Sequence, residues 1–567
     1  MNRNQPKNWA MTITLISAIS LVFSVQVATS SSGSFFAIHI DMRLPHYQKK
    51  YLKDWLQEFS ECGFNAVVWE LTDGVKFDTC PEVAAPEAFS KREFQEILKQ
   101  TEKLELESVP LLQCLGHAEY VLEHSRFAEL RDNPQSAYQY CPLKPEVIAF
   151  LQSWISEHLD LFGDVQYFHL GGDEASLPFN CPDAQTAVQQ GSVSNLYVNH
   201  VEAVAKPLLD KGITPMIWSD MLLAHPKALP ELSRRFMLFD WEYYLYRGLG
   251  KVSVWEGGKR ELVVADQIPQ DYILRYEKYL YPEGIGQGVE PDPFYTADYL
   301  ADLGFSVITC GASKTAGDNV FSPRHELHLR NSFDQCKKGM SSHLQGFFLV
   351  GWSHHMHPWE LQLSCIDIPA FLQQFPDGTL EDYRRYFTLK RFGITDNVFW
   401  IAAELLSKSV LFSTSPTLGY GMDIEPVFPT YVKDTLEKLN REGRLADEIL
   451  NCQERRLDYR DALILLGELK RRAIKGKNLL NLWELAARNL LNRAEVSQLL
   501  LSYAAGGVNT EIARAKATQL LNELRDLRVE TGKMYKPMVT LHRRELMLEY
   551  IYSSLEQSLT DLIAGKE

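Results

Sequence analysis

From residue 34 to about residue 392, short apolar runs alternate with amphipathic stretches of helical period, the pattern of strand–helix units around a parallel sheet. Eight runs stand out: Phe35 to Asp41, Ala66 to Leu71, Val109 to Leu115, Gln166 to Glu174, Pro215 to Met221, Phe236 to Trp241, Ser306 to Gly311, and Gly346 to Trp352. Eight such units over residues 34–392 predict a (β/α)8 TIM barrel. The helical stretches are punctuated accordingly. Tyr47 to Cys62 stops at Gly63, a second helix starts at Ser90 and reaches Leu106, and a third opens on Pro145 and ends at Gly163. Tyr244 to Asp292, rich in Tyr, Gly and Pro, interrupts the rhythm after the sixth run and predicts a long loop over the site. Past Phe392 the strand signal stops. Leu445 to Lys475, Lys477 to Tyr503, Asn509 to Tyr535 and Lys536 to Ile563, broken at Gly476, Gly506-Gly507 and near Pro537, predict an all-helical C-terminal domain over residues 393–567.

The first residues follow a different pattern. Arg3 and Lys7 precede an apolar run from about Met11 to Val27 and then small residues, Ala28 to Ser32, the layout of a secretory signal peptide over residues 1–32. A secreted or periplasmic protein is therefore expected, with a membrane anchor formed by an uncleaved leader as the alternative. The 567 residues carry a formal charge of −15, which argues against a nucleic-acid surface built from clustered Lys and Arg. Several of the nine cysteines, such as Cys114 and Cys310, sit in apolar runs and most read as buried thiols, while export would permit Cys141 and Cys181 to bridge. No Cys/His cluster has zinc-ligand spacing, so neither a metal nor another cofactor is expected.

In a barrel the carboxyl ends of the strands converge, and here those ends are polar and aromatic. Asp41 and Arg43 follow the first strand, Thr72 and Asp73 the second, and His117 and Glu119 the third. His169, Asp173 and Glu174 come from the fourth, Trp218 and Asp220 from the fifth, Asp240, Trp241 and Tyr243 from the sixth, Lys314 from the seventh, and Trp352 to His355 from the eighth. Tryptophans beside carboxylates and an arginine suit a sugar, whose apolar ring faces stack on indole while its hydroxyls need charged partners.

The stretch His169-Leu-Gly-Gly-Asp173-Glu174 resembles the signature of family 20 glycoside hydrolases, the β-N-acetylhexosaminidases. The stretches around His117, Trp218-Ser-Asp220 and Trp352 resemble its hexosaminidase D branch, and the likeness covers roughly Phe35 to Ala370. It implies an exo-acting, retaining enzyme that removes terminal GlcNAc or GalNAc from a glycan or glycoconjugate. The substrate's own 2-acetamido oxygen attacks the anomeric carbon. Glu174 would be the general acid and then base, and Asp173 would hold the acetamido N–H and the oxazolinium charge. The resemblance also implies that Arg43 binds O3 and O4, Asp73 supports it or the acid, His117 lies near the acid, and Trp218, Trp241 and Trp352 wall the pocket. Three stretches depart from the family pattern. Gln113-Cys114 replaces an Asp, His354 and Cys365 to Pro369 stand where a Glu is common, and Thr309 to Lys314 lacks the usual Tyr and Asp. These departures move the O4/O6 contact to Asp367 or Glu360, and the acetamido contact to Tyr243.

Two other readings fit the residue types. A metallohydrolase would use His39, Asp41, His117, His169 and Asp220. A non-catalytic sugar-binding protein would keep the pocket and lose the chemistry. A homodimer is compatible with each.

Overall fold

Each of the eight apolar runs becomes a strand, and burial on both faces explains why they read as continuous rather than alternating. The computed structural model describes residues 34–175, 179–181, 193–413 and 430–566; the leader expected over residues 1–32 lies outside them. The strands are β1 (Phe35–Asp41), β2 (Ala66–Glu70), β3 (Glu107–Leu111), β4 (Tyr167–His169), β5 (Thr214–Trp218) and β6 (Met237–Trp241). A hairpin, β7 (Lys251–Glu256) and β8 (Lys259–Val264), intervenes before β9 (Ser306–Lys314) and β10 (Gly346–Gly351). Strands one to six, nine and ten close in the order β1-β10-β9-β6-β5-β4-β3-β2, every pair parallel.

Period-two alternation divides each strand between two cores. On β1, Phe36, Ile38 and Ile40 pack outward in the core shared with the helices. Ala37 faces the barrel axis with Val68, Val109, Met216, Phe239, Ile308 and Phe348. The same alternation, continued up each strand, aims Asp41, Glu70, His169, Trp218, Trp241 and Lys314 at the open carboxyl end. Among the helices, Lys91–Lys103 starts with Ser90 and Glu93 in a reciprocal capping box, and Pro145–Phe162 opens on proline.

After β10 every element among the described residues is a helix. Leu445–Arg472, Lys477–Ala504, Thr510–Tyr535 and Leu541–Ala564 pack as sequential neighbours. The last begins at Leu541 rather than Lys536, because residues 536–540 leave helical geometry to meet the loop after β1: Tyr47 bridges Val539, and Thr540 N–H donates to the His46 carbonyl at 2.9 Å. Residues 35–567 form one compact unit. No helix among the described residues is long and apolar enough to cross a membrane.

Candidate active site

Strand β4 pairs for only three residues, and the apolar run then turns through Gly171 (φ +63°) and Gly172 (φ +83°). A Cβ on Gly171 would lie 1.9 Å from Oε1 of Gln113, so this close approach requires glycine. The turn delivers Asp173, 6% exposed, and Glu174, whose side chain is 55% exposed. Glu174 itself sits at φ +46°, a left-handed conformation costing roughly 1–3 kcal/mol in a residue with a Cβ. Two bonds impose it: its N–H donates to Oδ2 of Asp220 at 2.9 Å, and its carbonyl accepts from the Tyr138 hydroxyl at 2.8 Å.

One imidazole joins the two acids. His117 Nε2 lies 3.3 Å from Oδ2 of Asp173 and 3.5 Å from Oε2 of Glu174. Burial pulls the His117 pKa down, but the two carboxylates outweigh it and raise it to about 10, so the ring is an imidazolium at neutral pH. The bond from His117 in turn holds Glu174 below the usual carboxylate range. Asp220 is the opposite case: burial, then the neighbouring Asp173 charge, push it up to about 8, so it is a neutral carboxylic acid at pH 7. Oδ1 of Asp173 is buried and has no hydrogen-bond partner among the described residues.

The walls come from the sixth and eighth strands. Trp241 and Tyr243 stack at 5.1 Å, and Arg260 of the hairpin lies 5.1 Å over Trp241. Trp352 meets His39 edge-on at 5.0 Å. Arg43, with its guanidinium 3.6 Å from Oδ2 of Asp41, comes from the first strand's loop, and Asp41 also accepts the backbone N–H of Arg43 and of Ser353 at 2.9 Å. Beneath them Glu70 accepts from Gln113 Nε2 at 3.1 Å and lies 3.1 Å from His39 Nε2.

The structure brings together Arg43, His117, Asp173, Glu174, Trp241, Tyr243 and Trp352, and it corrects three expectations. Trp218 is fully buried under Trp352 at 5.8 Å and against His169 at 4.8 Å, so it is floor, with no ring face open to a sugar. Asp73 is fully buried: its Oδ2 is taken by Nη2 of Arg543 at 2.8 Å and Nε2 of His46 at 3.1 Å, and its Oδ1 accepts the Thr72 hydroxyl at 3.3 Å, so neither oxygen is open to substrate or acid. Asp367 lies at the opposite, amino end of the barrel, beside Cys62, where Lys390 and Arg391 clasp it at 2.7 and 2.5 Å. Glu360 accepts from the Tyr51 hydroxyl at 2.9 Å. The five residues of the metallohydrolase reading do not converge as one ligand set: His39 is on Glu70, His117 is on the acids, and His169 Nδ1 accepts the Gly171 N–H at 3.0 Å.

Sequence reasoning missed Tyr138, Arg260, Glu70 and the positioning role of Asp220. Only the hairpin bearing Arg260 had a readable signal, in Val252 and Val254 alternating before Gly257-Gly258. Cys141 and Cys181 are disulfide-bonded, tying the loop after β3 to the segment that leaves Glu174. Asp132 secures the same junction, accepting the N–H of Asn180 at 2.8 Å and of Cys181 at 3.0 Å.

The family model for the glycosyl hydrolase family 20 catalytic domain matches residues 37–281. Hexosaminidase D of Homo sapiens is 26% identical over 349 residues, 59% of this chain and 62% of that protein. Hexosaminidase D of Bos taurus is 29% identical over 214 residues, 36% of this chain and again 62% of the relative. The matches thus span about three fifths of the relatives' own length. The Flavobacterium johnsoniae chitobiase structure superposes over 93% of this chain and 78% of its own, at 14% identity and a TM-score of 0.45.

Proposed function

Because the chain carries a glycosyl hydrolase family 20 catalytic domain, we propose that the protein is an exo-acting, retaining β-N-acetylhexosaminidase using substrate-assisted catalysis. One observation carries the reading: adjacent carboxylates share a single imidazolium, and the buried one has a free oxygen, Oδ1 of Asp173, facing no partner among the described residues. A substrate's acetamido N–H satisfies that oxygen, since a buried charge lacking a hydrogen bond is costly. The acetamido oxygen then attacks the anomeric carbon. The C1–O bond to the leaving group breaks, Glu174 supplies the proton to the departing oxygen, and Asp173 stabilises the oxazolinium cation. Glu174 then takes a proton from water as water opens the ring.

Glu174 must be protonated for the first step, although His117 lowers its pKa in the free site. A sugar stacked on Trp241 and Tyr243 covers its half-exposed side chain, and that desolvation drives its pKa upward as substrate binds. Arg43 serves the ring hydroxyls. The disulfide and the leader-like first residues support an exported protein.

The test is hydrolysis of paired aryl GlcNAc and GalNAc β-glycosides, with a thiazoline mimic of the cyclic intermediate as inhibitor. Turnover by wild type, inhibition by the mimic, and a loss of at least roughly 10²-fold in Glu174→Gln on a poor leaving group are expected. Near-normal turnover of that variant removes Glu174 from the role.

A further inference from the structure

We propose that the turn and helix start at residues 536–543 form a positioning element for the loop carrying Arg43, with Arg543 as its key residue. The inference rests on the hexosaminidase reading, in which Arg43 meets the sugar hydroxyls.

Between β1 and its helix, the loop of residues 42–48 has no ladder of its own, so its shape comes from what grips it. Asp41 fixes the Arg43 end through the backbone N–H at 2.9 Å. The other end is gripped by the tail. Thr540 N–H donates to the His46 carbonyl and Gln48 N–H to the Met538 carbonyl, both at 2.9 Å, and Nε2 of Gln48 reaches the carbonyls of Lys536 and Val539 at 2.6 and 3.0 Å. These contacts join residues some 490 positions apart, so the tail is built into the barrel mouth rather than appended to it.

Arg543 locks the arrangement. It is 6% exposed, donates to Oδ2 of Asp73 at 2.8 Å, and lies against the His46 ring at 3.0 and 3.2 Å. Asp73 belongs to the turn after β2, where Thr72 holds φ +43° and Gly74 packs so closely on Met42 that a Cβ would meet its side chain at 2.9 Å. The buried pair therefore fixes two neighbouring loops at once, and Met42, the residue before Arg43, is wedged between them. Removing the guanidinium leaves Asp73 buried with its charge less compensated, and the loops must move to hydrate it.

The experiment uses the full chain. KM and kcat are measured on an aryl β-GlcNAc glycoside and on its 4-deoxy analogue, beside thermal melting, for wild type, Arg543→Gln, Arg543→Lys, Gln48→Ala and Arg528→Gln. Arg528 pairs with Glu549 and Glu556 in the same helix pair, away from the loop, and serves as the control. Misplacing Arg43 removes binding common to ground and transition states, so Arg543→Gln is expected to raise KM roughly tenfold with kcat within about threefold, and to lose the preference for the 4-hydroxyl. Gln48→Ala, on the surface, moves the same way by less; Arg543→Lys recovers part; Arg528→Gln matches wild type. If Arg543→Gln does not fold, the Lys and Gln48 variants carry the comparison. Wild-type KM and discrimination in the folded variants, or equal losses on both substrates, overturn the positioning role. Failure of the wild type to hydrolyse either glycoside overturns the hexosaminidase reading itself, and this inference with it.

Discussion

His117 decides the charge state of the site. Among the described residues its ring is the one cation within ion-pair distance of both acids, and it pays a backbone penalty to be there, at φ +56°. With its pKa raised to about 10 against 6.5 when unfolded, the bound proton is a stabilising contribution. That contribution is complete below about pH 6.5 and is lost as pH rises through about 10. In catalysis the same charge acts against Glu174, favouring its ionised form. We therefore predict that His117→Gln moves the basic limb of the kcat/KM profile to higher pH, because Glu174 keeps its proton longer, while the maximum falls as Asp173 loses its orienting bond. A pH–rate profile on an aryl glycoside checks this, and an unmoved basic limb contradicts it. The acids were legible because they sit next to one another in a specific motif, and His117 because it follows the third apolar run in a stretch of its own that resembles the same family. Asp73 was misread because the residue that claims it is distant in sequence: 470 positions separate it from Arg543. Asp367 was misread because the chain turns back after β10, and Lys390 and Arg391, 23 and 24 positions on in a separate helix, take its carboxylate at the other end of the barrel.

The hairpin β7–β8 is the element that shapes the pocket's rim. Its register sets Glu256 opposite Lys259 across Gly257-Gly258, and it projects Arg260 onto Trp241. One guanidinium nitrogen, Nη2, donates to both carboxylate oxygens of Glu242, which is 5% exposed and also takes the Ser253 hydroxyl, while Nε donates to that hydroxyl's oxygen at 3.0 Å. Breaking a mostly buried pair on one side leaves an uncompensated charge, so Arg260→Ala is expected to cost about 3 kcal/mol in urea unfolding, whereas the Arg260→Leu/Glu242→Leu double variant loses less. Equal costs would mean that the pair itself, and not the stranded carboxylate, carries the stability. This element shows where sequence reading stops. The barrel strands were visible as apolar runs, yet β3 leaves its ladder at Leu111 although the run continues to Leu115. Beyond that point Leu112 and Cys114 N–H donate to the His169 and Leu170 carbonyls, which bends the apolar segment into the site. Periodicity reports burial, and burial does not end where pairing does. The hairpin failed in the reverse direction: its alternation was present, but a Tyr-, Gly- and Pro-rich setting masked it.

At the scale of the whole molecule, buried histidines set the response to acid. His325, His355 and His357 surround Asp318 where the seventh and eighth strand ends meet the tail, and His325 packs on Trp483 of Lys477–Ala504 at 4.3 Å. Burial pushes His355 and His158 down to about 4, and His325 and His357 to about 3. His354 follows to about 4, and His169 is also well below its ordinary value. Each ring is neutral when folded and takes up a proton on unfolding below pH 6.5, so its stabilising contribution is present above 6.5 and is lost as pH falls toward 4. Asp220 and Asp240 act oppositely: burial raises them to about 8 and about 6, so the folded state holds protons that the unfolded chain has released. Among these groups, between pH 4 and 6, six rings oppose two carboxyls, and the rings outweigh them, at about 1.4 kcal/mol per pH unit for each net proton. Above pH 6.5 only Asp220 and His117 still titrate among these groups, and the sign reverses. Stability should therefore rise steeply from pH 4 to a maximum near pH 6.5 and then decline gently. Urea midpoints across this range test the curve, and His357→Phe should flatten its acid limb by about one proton, since an apolar ring in that site has no charge to acquire. An acid limb equally steep in the variant would place the proton uptake elsewhere.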